Sequence, residues 1–164
     1  MDEQQMAEWM KFASPTEEHD YLKCLEGSWK ANVKMWMDPA APPMESTGTM
    51  TSRLILGGRF LQSDFVGDPS PKGDFAGMAI DGYDRINQKY VGSWMDTMGT
   101  GWMVFGGKAD GNVRTMMCDF TDPGGNKQKM KGVTTIVNND EYRYESFLQS
   151  PQGEFKNMEV VYKR

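Results

Sequence analysis

Ser28-Trp29-Lys30-Ala31-Asn32-Val33-Lys34-Met35 sets Trp29, Ala31, Val33 and Met35 against Ser28, Lys30, Asn32 and Lys34. Successive side chains of a strand point to opposite faces, so this alternation predicts a half-buried strand with one face on a core. The same period of two continues to the C-terminus. It recurs over 45–54, 59–66, 75–84, 89–97, 101–108, 112–120, 130–137, 141–149 and 154–163, which makes about ten strands. Gly57-Gly58, Asp68-Pro69-Ser70-Pro71-Lys72-Gly73, Pro123-Gly124-Gly125, Asn138-Asn139-Asp140 and Ser150-Pro151-Gln152-Gly153 break the runs, and Asp110-Gly111 reads as a type I′ hairpin turn. Every connection is too short for a parallel crossover. An antiparallel meander of this length leaves two exposed edges unless it closes, so the predicted fold is all-β, an up-and-down antiparallel barrel. Gly77 and Gly92 fall inside strands, where a curved sheet needs positions without side chains.

Upstream the period changes. Met6, Trp9, Met10 and Ala13 lie at i, i+3, i+4 and i+7, predicting a short amphipathic helix that ends at Ala13. Ser14-Pro15-Thr16-Glu17 has the form of a capping box with proline at the first helical position, predicting a second helix from Pro15. That helix offers Glu18, Tyr21, Leu22 and Leu25 along one side and should stop at Gly27. The organisation expected is a helical extension over 1–14 and a single barrel domain over 15–164.

Length, charge and cysteine usage narrow the function. A 164-residue chain buries roughly 70% of the surface its unfolded form exposes, enough for one core without staples. Eighteen basic against twenty-three acidic side chains give a net charge of −5, which offers no electrostatic case for a nucleic acid or an anionic membrane as partner. Cys24 and Cys118 are far apart with no CxxC spacing, so free thiols are expected. No apolar run approaches the roughly 20 residues of a spanning helix, and the acidic start Met1-Asp2-Glu3 is unlike a secretory leader. The expected compartment is the cytoplasm.

His19 is the single histidine, which rules out a histidine-rich metal site or a two-histidine relay within one subunit. No metal and no cofactor are expected, and His19 reads as a hydrogen-bonded structural residue. Asp81 shares strand parity with Phe75, Gly77 and Ala79 and can point inward, although turn chemistry explains most acids of the 81–90 stretch. Asp96 shares a stripe with Tyr90, Gly92 and Trp94; an acid on an inner face needs a partner, and Arg59 or Arg53 is the expected supply. Gly57-Gly58 and Gly106-Gly107 lack phosphate-loop spacing and read as turns or bulges. Fifteen methionines and five tryptophans in so small a chain imply a pliable apolar interior. Trp36, Trp94, Met95, Trp102 and Met103 gather around the Thr97-Met98-Gly99-Thr100 turn, where a barrel mouth and its pocket are expected.

Gly27-Ser28-Trp29, where a helix meets the first strand, resembles the G-x-W start of lipocalins and their calycin relatives, whose tryptophan closes the barrel base. The wider set is more specific: His19, Leu22, Leu25-Glu26-Gly27-Ser28-Trp29, Met35-Trp36 before Pro39 and Pro42-Pro43, Gly57-Gly58-Arg59-Phe60, Phe75-Ala76-Gly77, Gly82-Tyr83-Asp84, Trp94-Met95-Asp96-Thr97-Met98-Gly99-Thr100, and Gly107 with Asp110-Gly111. Together these resemble the bacterial domain of unknown function 1579 family, from about Pro15 to the C-terminus, with Arg85 departing from a common asparagine. The resemblance implies a calycin-like barrel with a helical plug and, by analogy, a small-molecule cavity. Of the matching residues, His19, Trp36, Arg59, Tyr83, Trp94, Asp96 and Thr100 are least explained by turn or core geometry and form the candidate ligand site. If they converge, Trp36 and Trp94 supply apolar walls, Arg59 an anion fork, Asp96 and Thr100 orienting hydrogen bonds, and His19 a gate.

Three functions follow as expectations. The first is binding of a small apolar or amphipathic ligand in the barrel. The second is an isomerase or hydrolase that uses Asp96 with Tyr83 or His19 for proton transfer. The third is a homodimeric structural or interaction protein using Trp9 and Trp36.

Overall fold

The alternation that begins at Ser28 becomes a strand whose inner face is sealed: Trp29 and Ala31 are each 1% exposed, while Lys30, Asn32 and Lys34 face solvent. A computed structural model describes residues 1–151 and 153–164. Helices α1 (Glu3–Lys11) and α2 (Glu18–Cys24) precede β1 (Gly27–Met35), β2 (Met44–Ile55), β3 (Phe60–Gly67), β4 (Ala76–Asp84) and β5 (Lys89–Asp96). They are followed by β6 (Met103–Asp110), β7 (Val113–Thr121), β8 (Lys127–Asn138), β9 (Glu141–Ser150) and β10 (Gly153–Lys163). Each strand pairs antiparallel with its sequence neighbours, and β1 pairs with β10 as well as β2, so the meander closes into a ten-stranded barrel. Closure gives every strand two partners and leaves no edge to template aggregation. The turn expected at 150–153 includes Gln152, which lies outside the described residues.

Register sets what faces inward. Trp29 opposes Met50 and Ala31 opposes Tyr162, so apolar positions of neighbouring strands meet on one face. Two glycines serve the inner surface as the pattern suggested. A Cβ on Gly77 would lie 2.3 Å from the Trp94 ring, and one on Gly92 would lie 2.6 Å from an Asp81 carboxylate oxygen. At the β6–β7 hairpin Gly111 alone has positive φ (58°), whereas a type I′ turn requires it at both central residues, so the I′ expectation is corrected.

One end of the barrel is plugged by α2. Tyr21, Leu22 and Leu25 of the α2 segment are buried against Trp29, Tyr90, Tyr142 and Tyr162. The Tyr21 hydroxyl donates to Thr134 O (2.8 Å), the Tyr90 hydroxyl to Glu18 O (2.8 Å) and Trp29 Nε1–H to Leu25 O (3.0 Å). These bonds tie the helix to β8, β5 and β1. The Arg164 guanidinium sits 4.2 Å from the Trp29 ring centroid and donates to Glu26 O (2.8 Å), so the chain's last residue seals the same end.

The helix boundaries differ from expectation. A capping box forms one helix earlier, where Asp2 Oδ1 accepts from Gln5 N–H (2.8 Å) and Gln5 Oε1 accepts from Asp2 N–H (3.0 Å). The predicted box at Ser14–Glu17 does not form, and α2 begins at Glu18 behind an uncapped Glu17. The segment before α2 is held by other bonds: Thr16 N–H donates to His19 Nδ1 (3.0 Å), and Ser14 O accepts from Arg85 Nη1 (3.0 Å). α1 ends at Lys11 rather than Ala13, and its apolar stripe is not core; Met6, Trp9 and Met10 stay half exposed or more. No helix of the described residues is long and apolar enough to cross a membrane.

Candidate functional site

The barrel interior changes character along its axis. At the plugged end it is aromatic and sealed. One layer further in, Arg114 of β7 reaches across the interior to Asp81 of β4, with Nη1 3.2 Å from Oδ1 and side chains only 7% and 15% exposed. The guanidinium lies 5.4 Å from the Tyr21 ring centroid and 5.7 Å from that of Tyr90. Arg114 Nε and Nη1 are enclosed yet make no hydrogen bond, so the carboxylate offsets charge without accepting a well-directed N–H. Burial pushes the Tyr144 phenol up to about 12, against the pull of Arg114 and with a push from Asp81. Burial also holds Tyr142 well above its ordinary value, with Tyr162 and Asp81 adding to the push and Arg114 opposing. Both phenols therefore stand within electrostatic reach of the pair.

Toward the opposite end the inward residues are apolar and only half buried: Trp94, Phe105, Met130, Leu148 and Met158. The sheet alternation still turns them inward; among the described residues no helix covers this end as α2 covers the other, and these side chains are half buried. A rim cleft of about 430 Å³ between β7, β8 and β9 is lined in part by Phe120, Gln128 and Gln149.

The seven candidate residues split between the two ends. Trp94 and Asp96 lie inside the open end, where Trp94 Nε1–H donates to Asp96 Oδ2 (2.7 Å) and Asp96 Oδ1 accepts from Met98 N–H (2.9 Å). Asp96 thus fixes an indole and a turn, and the expected partnership with Arg59 or Arg53 does not form. Arg53 pairs with Asp64 on the outer face (3.2 Å). Arg59 Nε donates to Ala13 O (2.6 Å) and, with Arg85 on Lys11 O (2.6 Å), holds carbonyls at and just after the C-terminus of α1. Thr100 stands exposed in the loop after β5. Trp36 lies at the rim, 5.8 Å from the Lys156 ammonium, which pairs with Glu145 (2.7 Å) and Glu159 (2.5 Å) of the outward parity.

His19, Arg59 and Tyr83 do come together, at the plugged end, in a cleft of about 390 Å³ under α1 that Trp9, Phe12 and Arg85 also line. His19 is 3% exposed and meets Tyr83 edge-on with centroids 6.0 Å apart. Burial lowers the His19 pKa, with Glu18 pulling the other way. Because the Thr16 amide donates to Nδ1, the neutral ring carries its hydrogen on Nε2. Asp96 pairs with Gly77, six residues along β4 from Tyr83, a separation of about 20 Å at strand rise. Asp96 therefore does not share a substrate-sized space with Tyr83 or His19. Among the described residues there is no cluster of three or more His, Cys, Asp or Glu able to hold a metal ion. Cys24 is exposed and Cys118 buried, both free thiols.

The interior residue the sequence reading missed is Arg114. Its signal was present: a lone charge on the inward stripe Arg114, Met116, Cys118, Phe120, matching the lone Asp81 on its own stripe.

The fold and its interior define the class: a closed, ten-stranded antiparallel barrel plugged at one end by a helix. The chain belongs to the family described as "Protein of unknown function (DUF1579)", whose profile matches residues 14–164. No curated protein matches the sequence significantly. Among solved structures it is similar to Rv2717c from M. tuberculosis at 14% identity, covering 92% of this chain and 99% of that one with a TM-score of 0.61. A redesigned β-barrel aligns at 15% identity over 87% and 92% of the two chains with a TM-score of 0.45.

Proposed function

We propose that the protein binds a small apolar or amphipathic molecule inside the barrel, admitted through the end opposite α2. The observation that carries this reading is the contrast within one continuous inner surface. At the plug, Leu22, Trp29 and Leu61 are 0–1% exposed, while Trp94, Phe105, Met130 and Leu148 at the other end are turned inward and left partly open. A barrel whose interior served only stability would fill its mouth as it fills its base. Methionine at 130 and 158 gives walls that adjust to a guest.

Trp94 is the reporter. Titrating the wild type with medium-chain alcohols, fatty acids and small aromatics should produce a saturable change in tryptophan emission for at least one class, and Trp94→Phe should lose most of its amplitude. Native mass spectrometry of freshly purified protein adds the mass of any resident ligand. A flat titration across all three classes with a clean apo mass would refute the reading.

A further inference from the structure

We infer that the barrel takes an amphipathic monocarboxylate head first, with its carboxylate seated on Arg114 and its chain running past Trp94 to the open end. This rests on the binding reading above and names the ligand class. Arg114 is 94% buried, taking its 6% exposure, and reaches into the barrel from the inward face of β7. Two positions of the buried guanidinium are left without an acceptor: Nε and Nη1 are enclosed with no hydrogen bond, the Asp81 carboxylate at 3.2 Å supplying opposite charge alone. The fork geometry of guanidinium suits a carboxylate, which accepts two parallel N–H bonds. Arg114 carries five N–H donors against the single carboxylate of Asp81, and Tyr144 lies on the same inner face in register with it through Thr134, so the layer is rich in donors and asks for an oxygen-rich head. Beyond it toward the mouth the wall is Phe105, Trp94, Met130 and Leu148, which suits a hydrocarbon chain. Asp81 keeps the empty site close to neutral, so Arg114 is tolerated inside the barrel before a ligand arrives.

The test compares dodecanoate with dodecanol, equal in length and differing in the charged head. The wild type should bind dodecanoate at least about tenfold more tightly. The Asp81→Asn/Arg114→Gln double variant, which removes both charges and keeps a polar side chain at each position, should bind the two equally. Equal affinity in the wild type overturns the carboxylate assignment and leaves barrel binding standing. A preference that persists in the double variant overturns the role of Arg114. Binding of neither compound overturns this inference, and the binding reading itself then falls if the small aromatics and the apo mass are also blank. Should the double variant not fold, the wild type alone decides: it should bind dodecanoate at least about tenfold more tightly than methyl dodecanoate, which keeps the chain and loses the charge, and equal affinity overturns the carboxylate assignment.

Discussion

The two ends of the barrel are built from the same ten strands with the same alternation and differ in what meets the inward face. At the base, α2 lays Tyr21, Leu22 and Leu25 onto Trp29, Tyr142 and Tyr162, and Tyr142 stacks on Tyr162 with centroids 4.3 Å apart. At the mouth the same parity presents Trp94, Phe105 and Leu148 to an uncapped opening. The contrast runs along one axis: the base is sealed by α2, and the inward residues of the other end are left half buried. Between them the Asp81–Arg114 pair marks the boundary.

The largest effect should come from the base. Trp29→Ala should cost about 3–5 kcal/mol in urea unfolding, while Leu148→Ala at the mouth should cost under about 2 kcal/mol because its site is already partly open. Equal costs would erase the distinction between the ends. Asp81→Asn strands a buried guanidinium and should cost about 3 kcal/mol. Adding Arg114→Gln should restore part of that loss, and a double-mutant cycle reads the coupling. Additive losses would mean that the two charges do not depend on each other. Gly77→Ala forces a methyl into the Trp94 ring and should cost about 1–3 kcal/mol, with a shift in tryptophan emission that is lost when Trp94 is replaced by phenylalanine.

Titration sharpens the comparison more gently. Burial raises Tyr21 and Tyr144 to about 12. Unfolded tyrosines ionise near about 10, so the folded state holds protons that the unfolded state has released. This contribution is complete below the unfolded value and is lost as pH rises from there toward about 12. Phenolate absorbance should therefore appear together with loss of near-ultraviolet dichroism; phenolate formed ahead of unfolding would contradict the sealed base. The smallest effect is on the acid side. His19 is held neutral by burial, so its folded pKa lies below its unfolded one. Stability is then full above the unfolded value and falls as pH drops through and below it. His19→Gln should flatten that slope in urea midpoints measured from neutral to mildly acidic pH.

Most of the barrel was legible because the period of two is a local property. Each strand's alternation and each glycine or proline break can be read within ten residues, and Gly77 and Gly92 could be assigned to inner positions before their neighbours were known. The α2 face was legible for the same reason, through Tyr21, Leu22 and Leu25. The capping box was not, because a hydroxyl and a carboxylate at the right spacing form one only where the helix starts between them, and α2 starts later, at Glu18.

The candidate site was less legible. His19, Arg59 and Tyr83 share one end of the barrel, Trp94 and Asp96 the other, and Trp36 lies on the outer rim. Strand parity says which face a residue takes and leaves open which end it reaches, since that depends on the direction of each strand. The sequence by itself determined the all-β meander, the inward stripes and the helix that precedes them, because sterics and hydrophobic alternation act between near neighbours. Only the tertiary structure decided that Asp81 meets Arg114, three strands away, and that α2 covers one end of the barrel. Those facts depend on closure and register, which bring together residues whose separation in the chain carries no local signal.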